Sequence, residues 1–148
     1  MKQVYLDNAA TTPMSPTVID VITDEMANDF GNASSTHTLG RKARNSVETA
    51  RHTIARAINA KDQEIIFTSG GSESNNTVIF GVAEMQKAVG RHLITTKIEH
   101  ESVLKSMQRL EELGYEVTYL DVDRDGHISL DQLREAIRPD SGLSHGCQ

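Results

Sequence analysis

Phe67-Thr68-Ser69-Gly70-Gly71-Ser72-Glu73-Ser74-Asn75-Asn76 is the stretch on which the reading of this chain turns. The apolar run from Glu64 to Thr68 predicts a strand, and Val78, Ile79, Val82 and Ala83 predict a helix after it. Between them, two adjacent glycines allow a tight turn with positive φ and let the backbone approach a ligand closely. The first turn of a helix offers unpaired N–H donors and a partial positive charge. Ser72 and Ser74 add hydroxyl donors. Strand, glycine turn and helix start together predict an anion site whose expected guest is a phosphate. The stretch contains neither G-x-x-x-x-G-K-[ST] nor G-x-G-x-x-G, which argues against a triphosphate loop and a dinucleotide fingerprint. Taken alone, it reads equally well as an ordinary loop between a strand and a helix.

Working outward, the N-terminal side carries a short extended piece, Val4-Tyr5-Leu6, and a polar loop, Asp7 to Pro13. Ser15-Pro16 marks a helix start, with serine as N-cap and proline at the first helical position. Val18, Ile19, Ile22 and Met26 then fall on one face. A loop of small polar residues around Gly31 leads to a second helix from Leu39 to about Ile58, with Ala43, Val47, Ala50 and Ile54 on the same face as its ends. Arg41, Lys42, Arg44 and Arg51 read as its solvated face. On the C-terminal side, Gly90 stops the helix that follows the glycine turn. His92 to Thr96 is a strand, Ile98-Glu99-His100 its exit loop, and Val103, Leu104, Met107, Leu110 and Leu113 a helix closed by Gly114. Tyr115 to Leu120 is a third strand, Asp121 to Gly126 a turn, and Leu130 to Ile137 a short helix ended by Arg138-Pro139.

Strands alternating with helices predict an α/β fold with a mainly parallel sheet and flanking helices. In such sheets, ligands sit beyond the carboxyl ends of the strands. Two loops belong there: the glycine turn after Thr68 and the loop holding His100 after Thr96. A phosphate cradle and a histidine on one sheet edge make a cofactor site.

Composition narrows the function classes. The 148 residues are 37% hydrophobic and 24% charged, as in a globular domain, and at 4% aromatic the core falls to Ile, Leu, Val, Ala and Met. A net charge of −6 argues against nucleic acid as a direct partner. No apolar run reaches the roughly 20 residues that span a bilayer, and Met1 to Asp7 show no signal-peptide core. The single cysteine, Cys147, allows no internal disulfide and suits a cytoplasmic setting.

Asp121-Val122-Asp123-Arg124-Asp125-Gly126-His127-Ile128-Ser129 follows the first nine positions of an EF-hand calcium loop. The twelfth position is Gln132, however, and a strand rather than a helix leads in. The better reading is a turn followed by a capping box, Ser129-x-x-Gln132, and no metal site is assigned.

Tyr5-Leu6-Asp7-Asn8-Ala9-Ala10-Thr11-Thr12-Pro13 resembles the opening signature of the cysteine desulfurases, pyridoxal-phosphate enzymes related to the class V aminotransferases. Gly31 to His37, Gly40-Arg41-Lys42-Ala43, the Phe67–Asn76 stretch and the Glu99-His100 pair resemble further blocks of that family, in order, from about Val4 to Asp140. The resemblance implies part of a fold type I large domain over residues 1–140. It implies pyridoxal 5'-phosphate as cofactor, its phosphate held at Gly71 and Ser72 and its ring stacked by His100, which also moves protons. Asn8, Ala9, Ala10 and Thr11 are implied to lie near the active site. The implied reaction takes sulfur from L-cysteine, leaves L-alanine and keeps the sulfur as an enzyme persulfide. Sulfur-acceptor proteins then receive it for iron–sulfur cluster assembly or tRNA thiolation, from a homodimeric enzyme. His37, His52, His92 and His127 read as structural or exposed, and Glu73 and Glu99 as capping or scaffold groups.

Family members run well past this length, and their cofactor lysine and persulfide cysteine come later than Gln148. No lysine here matches that motif, and Cys147 is not in the position of the nucleophile. Residues 141–148 are polar and carry no strand pattern where the family runs into an apolar strand, so they read as a divergent tail. The expectation is a chain inactive and poorly stable alone. The alternative is a non-catalytic remnant or interaction fragment that pairs with a full-length homologue.

Overall fold

The computed structural model describes residues 4–144. They fall into two compact units, one ending at Ile66 and one beginning at Phe67. Met1-Lys2-Gln3 and Cys147 lie outside the described residues.

In the first unit, Ser15 opens α1 (Pro16–Asn28) by accepting the Val18 N–H, with Pro16 in the first turn. The predicted apolar face forms but is not covered: Val18, Ile19 and Ile22 are 46%, 49% and 40% exposed. The next helix, α2 (Thr38–Ala57), begins one residue before the expected Leu39 and is capped by His37, whose Nδ1 accepts the Gly40 N–H. Gly40 and Ala55 are the buried residues of α2. At Gly40, an added Cβ would lie 2.4 Å from the Ser35 carbonyl oxygen and 2.7 Å from that of Asn32. The helix and the preceding loop meet there backbone to backbone.

The expected solvated cationic face of α2 is exposed at Arg41, Lys42 and Arg44, with Arg51 half-buried, and it also ties down the adjoining loops. Lys42 pairs with Asp29, Arg44 Nε donates to the Ala33 carbonyl at 2.9 Å, and Arg41 donates to the Thr36 carbonyl at 2.6 Å. Arg51 donates to the Ile65 carbonyl. Helix spacing puts these cations on one side, but the loops before and after α2 offer carbonyls within reach of their long stems.

The strand expected over Glu64–Thr68 is also absent from the described ladders. Asp62–Glu64 is a turn of 3₁₀ helix and Ile65 is extended, φ −94° and ψ 124°. The backbone groups at its start are spent locally: Glu64 N–H bonds to the Lys61 carbonyl, Ile65 N–H to the Asp62 carbonyl, and the Ile65 carbonyl accepts from Arg51.

The second unit is built as α3 (Gly71–Gln86), β1 (His92–Thr96), α4 (Glu101–Glu112), β2 (Glu116–Leu120), α5 (Leu130–Ala136) and β3 (Ser141–Ser144). The sheet runs β2-β1-β3, with both neighbours parallel to β1. β1 is central and buried along its whole length, as a parallel strand covered on both faces must be. On one face, Leu93 joins Ile79 and Ala83 of α3 and Val103, Met107 and Leu110 of α4 in the core, with Tyr115 at its edge. The Tyr115 hydroxyl donates to the Ala83 carbonyl at 2.9 Å. The crossover rule places α5 on the other face, because β1–α4–β2 and β2–α5–β3 step across the sheet in opposite directions. α3 ends at Gln86, before the expected stop at Gly90. Gly90 instead makes a close approach, since an added Cβ would lie 2.0 Å from the Asp140 carbonyl oxygen.

The tail reading is corrected in part. Ser141–Ser144 does form a strand, although no apolar alternation marks it. Backbone pairing with β1 builds it, and His92 ties it down. This imidazole is fully buried, with Nδ1 2.7 Å from Ser141 Oγ and Nε2 2.7 Å from Thr118 Oγ1, so one ring spans all three strands. Burial, aided by the Arg138 charge, pushes the His92 pKa below its ordinary value. Among the described residues, no helix is long and apolar enough to cross a membrane.

Candidate functional site

α3 and α4 run side by side in the same direction, so their N-termini open at the same sheet edge. Two bonds fix this near their starts: Asn75 Nδ2 donates to Ser102 Oγ at 2.9 Å, and Ser106 Oγ donates to Asn76 Oδ1 at 3.1 Å. At the far ends, the Tyr115–Ala83 bond does the same. The structure therefore brings the glycine turn and the His100 loop together, as the sequence led one to expect.

The turn differs in detail. Positive φ is not used there: Gly70 is extended at φ 167°, a conformation open to any residue, and Gly71 is the first residue of α3. What the glycines provide is room. Nothing lies within 4 Å of a Cβ built on Gly70 or Gly71. Among the described residues, α3 is the one α-helix that opens without a side-chain cap; Ser15, His37, His100 and Ser129 cap the others. The N–H groups of its first turn, beginning at Gly71 and Ser72, thus lack a side-chain cap at the positive end of a sixteen-residue helix.

Of the two serine hydroxyls expected to serve an anion, one is otherwise engaged. Ser74 Oγ lies 2.6 Å from Thr68 Oγ1 and donates to the Gly70 carbonyl, which holds the turn shut. The Ser72 carbonyl accepts from Asn76 Nδ2 at 2.7 Å. This bond steadies the Ser72 backbone, and the residue is exposed. Glu73 turns back on Ser69, accepting both its N–H (2.7 Å) and its hydroxyl (2.6 Å). Those two donors hold the Glu73 carboxyl below the usual carboxylate range. The scaffold role read for Glu73 is the one this geometry shows.

His100 is the N-cap of α4 and is exposed. Its Nδ1 accepts the Ser102 N–H at 3.1 Å and lies 2.8 Å from Ser102 Oγ. Glu99 is buried, and Thr96 Oγ1 donates to its Oε1 at 3.3 Å. Asn75 and Ser102 went unread in the sequence. The available signal was a serine two residues after a loop histidine, at a helix start, where capping groups gather.

The acidic turn after β2 behaves as a turn. Asp123, Asp125 and His127 could bring ligand atoms within 4.8 Å of one another, all exposed. Asp123 Oδ1, however, accepts the N–H groups of Asp125 and His127, both at 2.9 Å, and Gly126 takes φ +87° to close the loop. Asn8 to Ala10 form a turn in the first unit, with the Ala10 N–H on the Asp7 carbonyl.

A parallel α/β sheet with an uncapped helix start and a histidine cap at one edge is compatible with a fold type I transferase domain. Residues 4–148 match the family model described as aminotransferase class-V, and the chain belongs to that family. It is 50% identical, over 142 residues, to the cysteine desulfurase IscS of Dictyoglomus turgidum, covering 96% of this chain and 36% of that protein. Two solved structures are similar. A NifS-like protein matches with TM-score 0.93 at 34% identity, over 98% of this chain and 40% of that one. SspA in complex with cysteine matches with TM-score 0.85 at 40% identity, over 93% and 40%. The chain thus spans about two fifths or less of the length of the relatives it matches, and its fold is part of a fold type I large domain.

Proposed function

We propose that this chain is the N-terminal part, residues 1–140 with a divergent tail, of a cysteine desulfurase, and that it carries the phosphate-and-ring half of a pyridoxal 5'-phosphate site. The observation that carries the reading is the uncapped, unobstructed start of α3 set beside the His100 cap of α4. The donor set fits the cofactor. Gly71 and Ser72 hold the phosphate dianion through backbone N–H groups and the Ser72 hydroxyl, with the helix field behind them. His100 would stack on the pyridine ring and supply a hydrogen-bond donor beside it. When bound, the cofactor supplies an electron sink for bond cleavage at the substrate carbon.

In the whole protein the substrate is L-cysteine, the products are L-alanine and an enzyme persulfide, and sulfur-acceptor proteins take the sulfur onward to iron–sulfur clusters or thiolated tRNA. The setting is cytoplasmic and the enzyme homodimeric. The 148 residues contribute binding, without the cofactor lysine or the persulfide cysteine, and release no alanine alone. Two readouts test this. Titrating pyridoxal phosphate into the full chain should shift the amide resonances of Gly71 and Ser72 and the His100 ring, with Ser72→Ala weakening the response several-fold. L-cysteine then added should yield no alanine. Unmoved resonances at Gly71 and Ser72 would remove the half-site, and alanine release would remove the claim of silence.

The exposed apolar face of α1 favours the second reading, an interaction fragment that pairs with a full-length homologue. Co-elution with such a homologue, in proportion to Ile22→Ser and Val18→Ser, distinguishes it.

A further inference from the structure

We propose that Ser102 and Asn75 are positioning residues that hold His100 as a hydrogen-bond donor through Nε2; the functional value of this rests on the cofactor reading above. The assignment begins with a backbone group. The Ser102 N–H can only donate, and it points at His100 Nδ1 from 3.1 Å. Nδ1 is therefore the acceptor nitrogen, and in the neutral ring the proton sits on Nε2. Ser102 Oγ lies 2.8 Å from the same nitrogen. With no proton on Nδ1, the hydroxyl must donate there as well. Its oxygen is then left as an acceptor, and Asn75 presents its amide Nδ2 to it at 2.9 Å.

The chain of donors runs one way: from Asn75 N–H to Ser102 O–H to His100 Nδ1. Each bond polarises the next. Two donors on one nitrogen also fix the ring about its own bonds, because rotation loses both. The ring face and Nε2–H are thereby aimed by α4 and, through Asn75, by the first turn of α3. Ser72 is held by the same turn through Asn76. The cradle residue and the stacking ring are thus referenced to one rigid pair of helix ends, which is what a site working to fractions of an ångström requires.

The consequence is chemical. A neutral His100 in this state gives a hydrogen bond at Nε2. Its lone pair is the one consumed in capping α4, so it does not receive a proton at the site without undoing the cap.

Nitrogen-15 spectra of the His100 ring in the full chain test this without cofactor. The expected pattern is an acceptor-type Nδ1 and a protonated Nε2. Ser102→Ala removes the hydroxyl and keeps the backbone donor, so the minor Nδ1–H tautomer should rise about fivefold, the factor one ordinary hydrogen bond represents. Ser102→Thr should restore the parent pattern, and Asn75→Ala should move it part of the way. Helix content by circular dichroism must stay at the parent level in each. Should Ser102→Ala fail to fold, Asn75→Ala reads the same nitrogen one bond further away. A protonated Nδ1 in the parent, or an Nδ1 signal indifferent to both Ser102→Ala and Asn75→Ala, overturns the proposal. A locked tautomer with no pyridoxal phosphate response at Gly71 would leave the lock standing and remove the cofactor reading instead.

Discussion

In the second unit, Ile79 and Met107 have no exposed surface and Leu93 and Val103 have 1% each, whereas Val18, Ile19 and Ile22 of the first unit keep 40–49% of theirs in solvent. The helices of the first unit are not looser in sequence: α1 and α2 have the caps and apolar faces of α4. They differ in what their faces meet. The second unit closes β1 between helix layers. The first closes on loops, through Lys42–Asp29, the Arg41, Arg44 and Arg51 bonds to carbonyls, and the backbone approach at Gly40. An amphipathic helix is therefore a request for a partner surface, and only one of the two units answers it from its own residues.

The largest expected effect separates the units directly. Met107→Ala should cost the second unit about 2–5 kcal/mol, as a buried truncation does, while Ile22→Ala in the first should stay within about 0.5 kcal/mol. Urea unfolding followed by site-resolved NMR measures both, and equal costs would erase the contrast. Gly40→Ala comes next. Its Cβ has no space beside the Ser35 carbonyl, so α2 should lose about 1–3 kcal/mol of its docking on the preceding loop. Faster amide exchange at residues 38–41, with α4 unchanged, would show it.

A smaller effect concerns salt. The first unit leans on exposed charge, so ~1 M NaCl should screen the Lys42–Asp29 pair and speed exchange in α2. The second unit, held by burial, should not respond. The smallest is a slope in pH. His92 is held neutral, its folded pKa lowered from 6.5, so its contribution is complete above 6.5 and is lost as pH falls below that value toward the folded pKa. His92→Gln should flatten that limb of the stability curve below pH 6.5, and leave the first unit's exchange unchanged.

Much of the second unit was legible because its residues carry local signals. The bounds of β1 follow from the unbroken run His92–Thr96, the stop of α4 from Gly114 at φ +85°, and the start of α5 from Ser129 bonding the Gln132 N–H. β3 was not legible, because Ser141–Ser144 owes its form to a neighbour 49 residues away and not to its own side chains. Glu64–Thr68 failed for the opposite reason: its composition suits a strand, but the backbone groups of Glu64 and Ile65 at its start are taken by Lys61, Asp62 and Arg51. The meeting of the glycine turn and the His100 loop was legible, and the way the turn is built was not. Gly70 and Gly71 announced a turn, yet their use is empty volume rather than unusual dihedral angles. The Asn75–Ser102–His100 chain joins residues 27 apart that no local pattern connects.

The bare first turn of α3 makes this helix end an accounting partner of whatever anion it holds. Binding to the folded state alone adds RT ln(1 + [L]/Kd) to stability, about 2.7 kcal/mol at a hundredfold excess over Kd. Serine or histidine caps give the other helices a comparable increment permanently, independent of any solute. If α3 holds a phosphate ester as proposed, that increment is set by ligand concentration, and amide exchange at this helix end should slow as the ester is added.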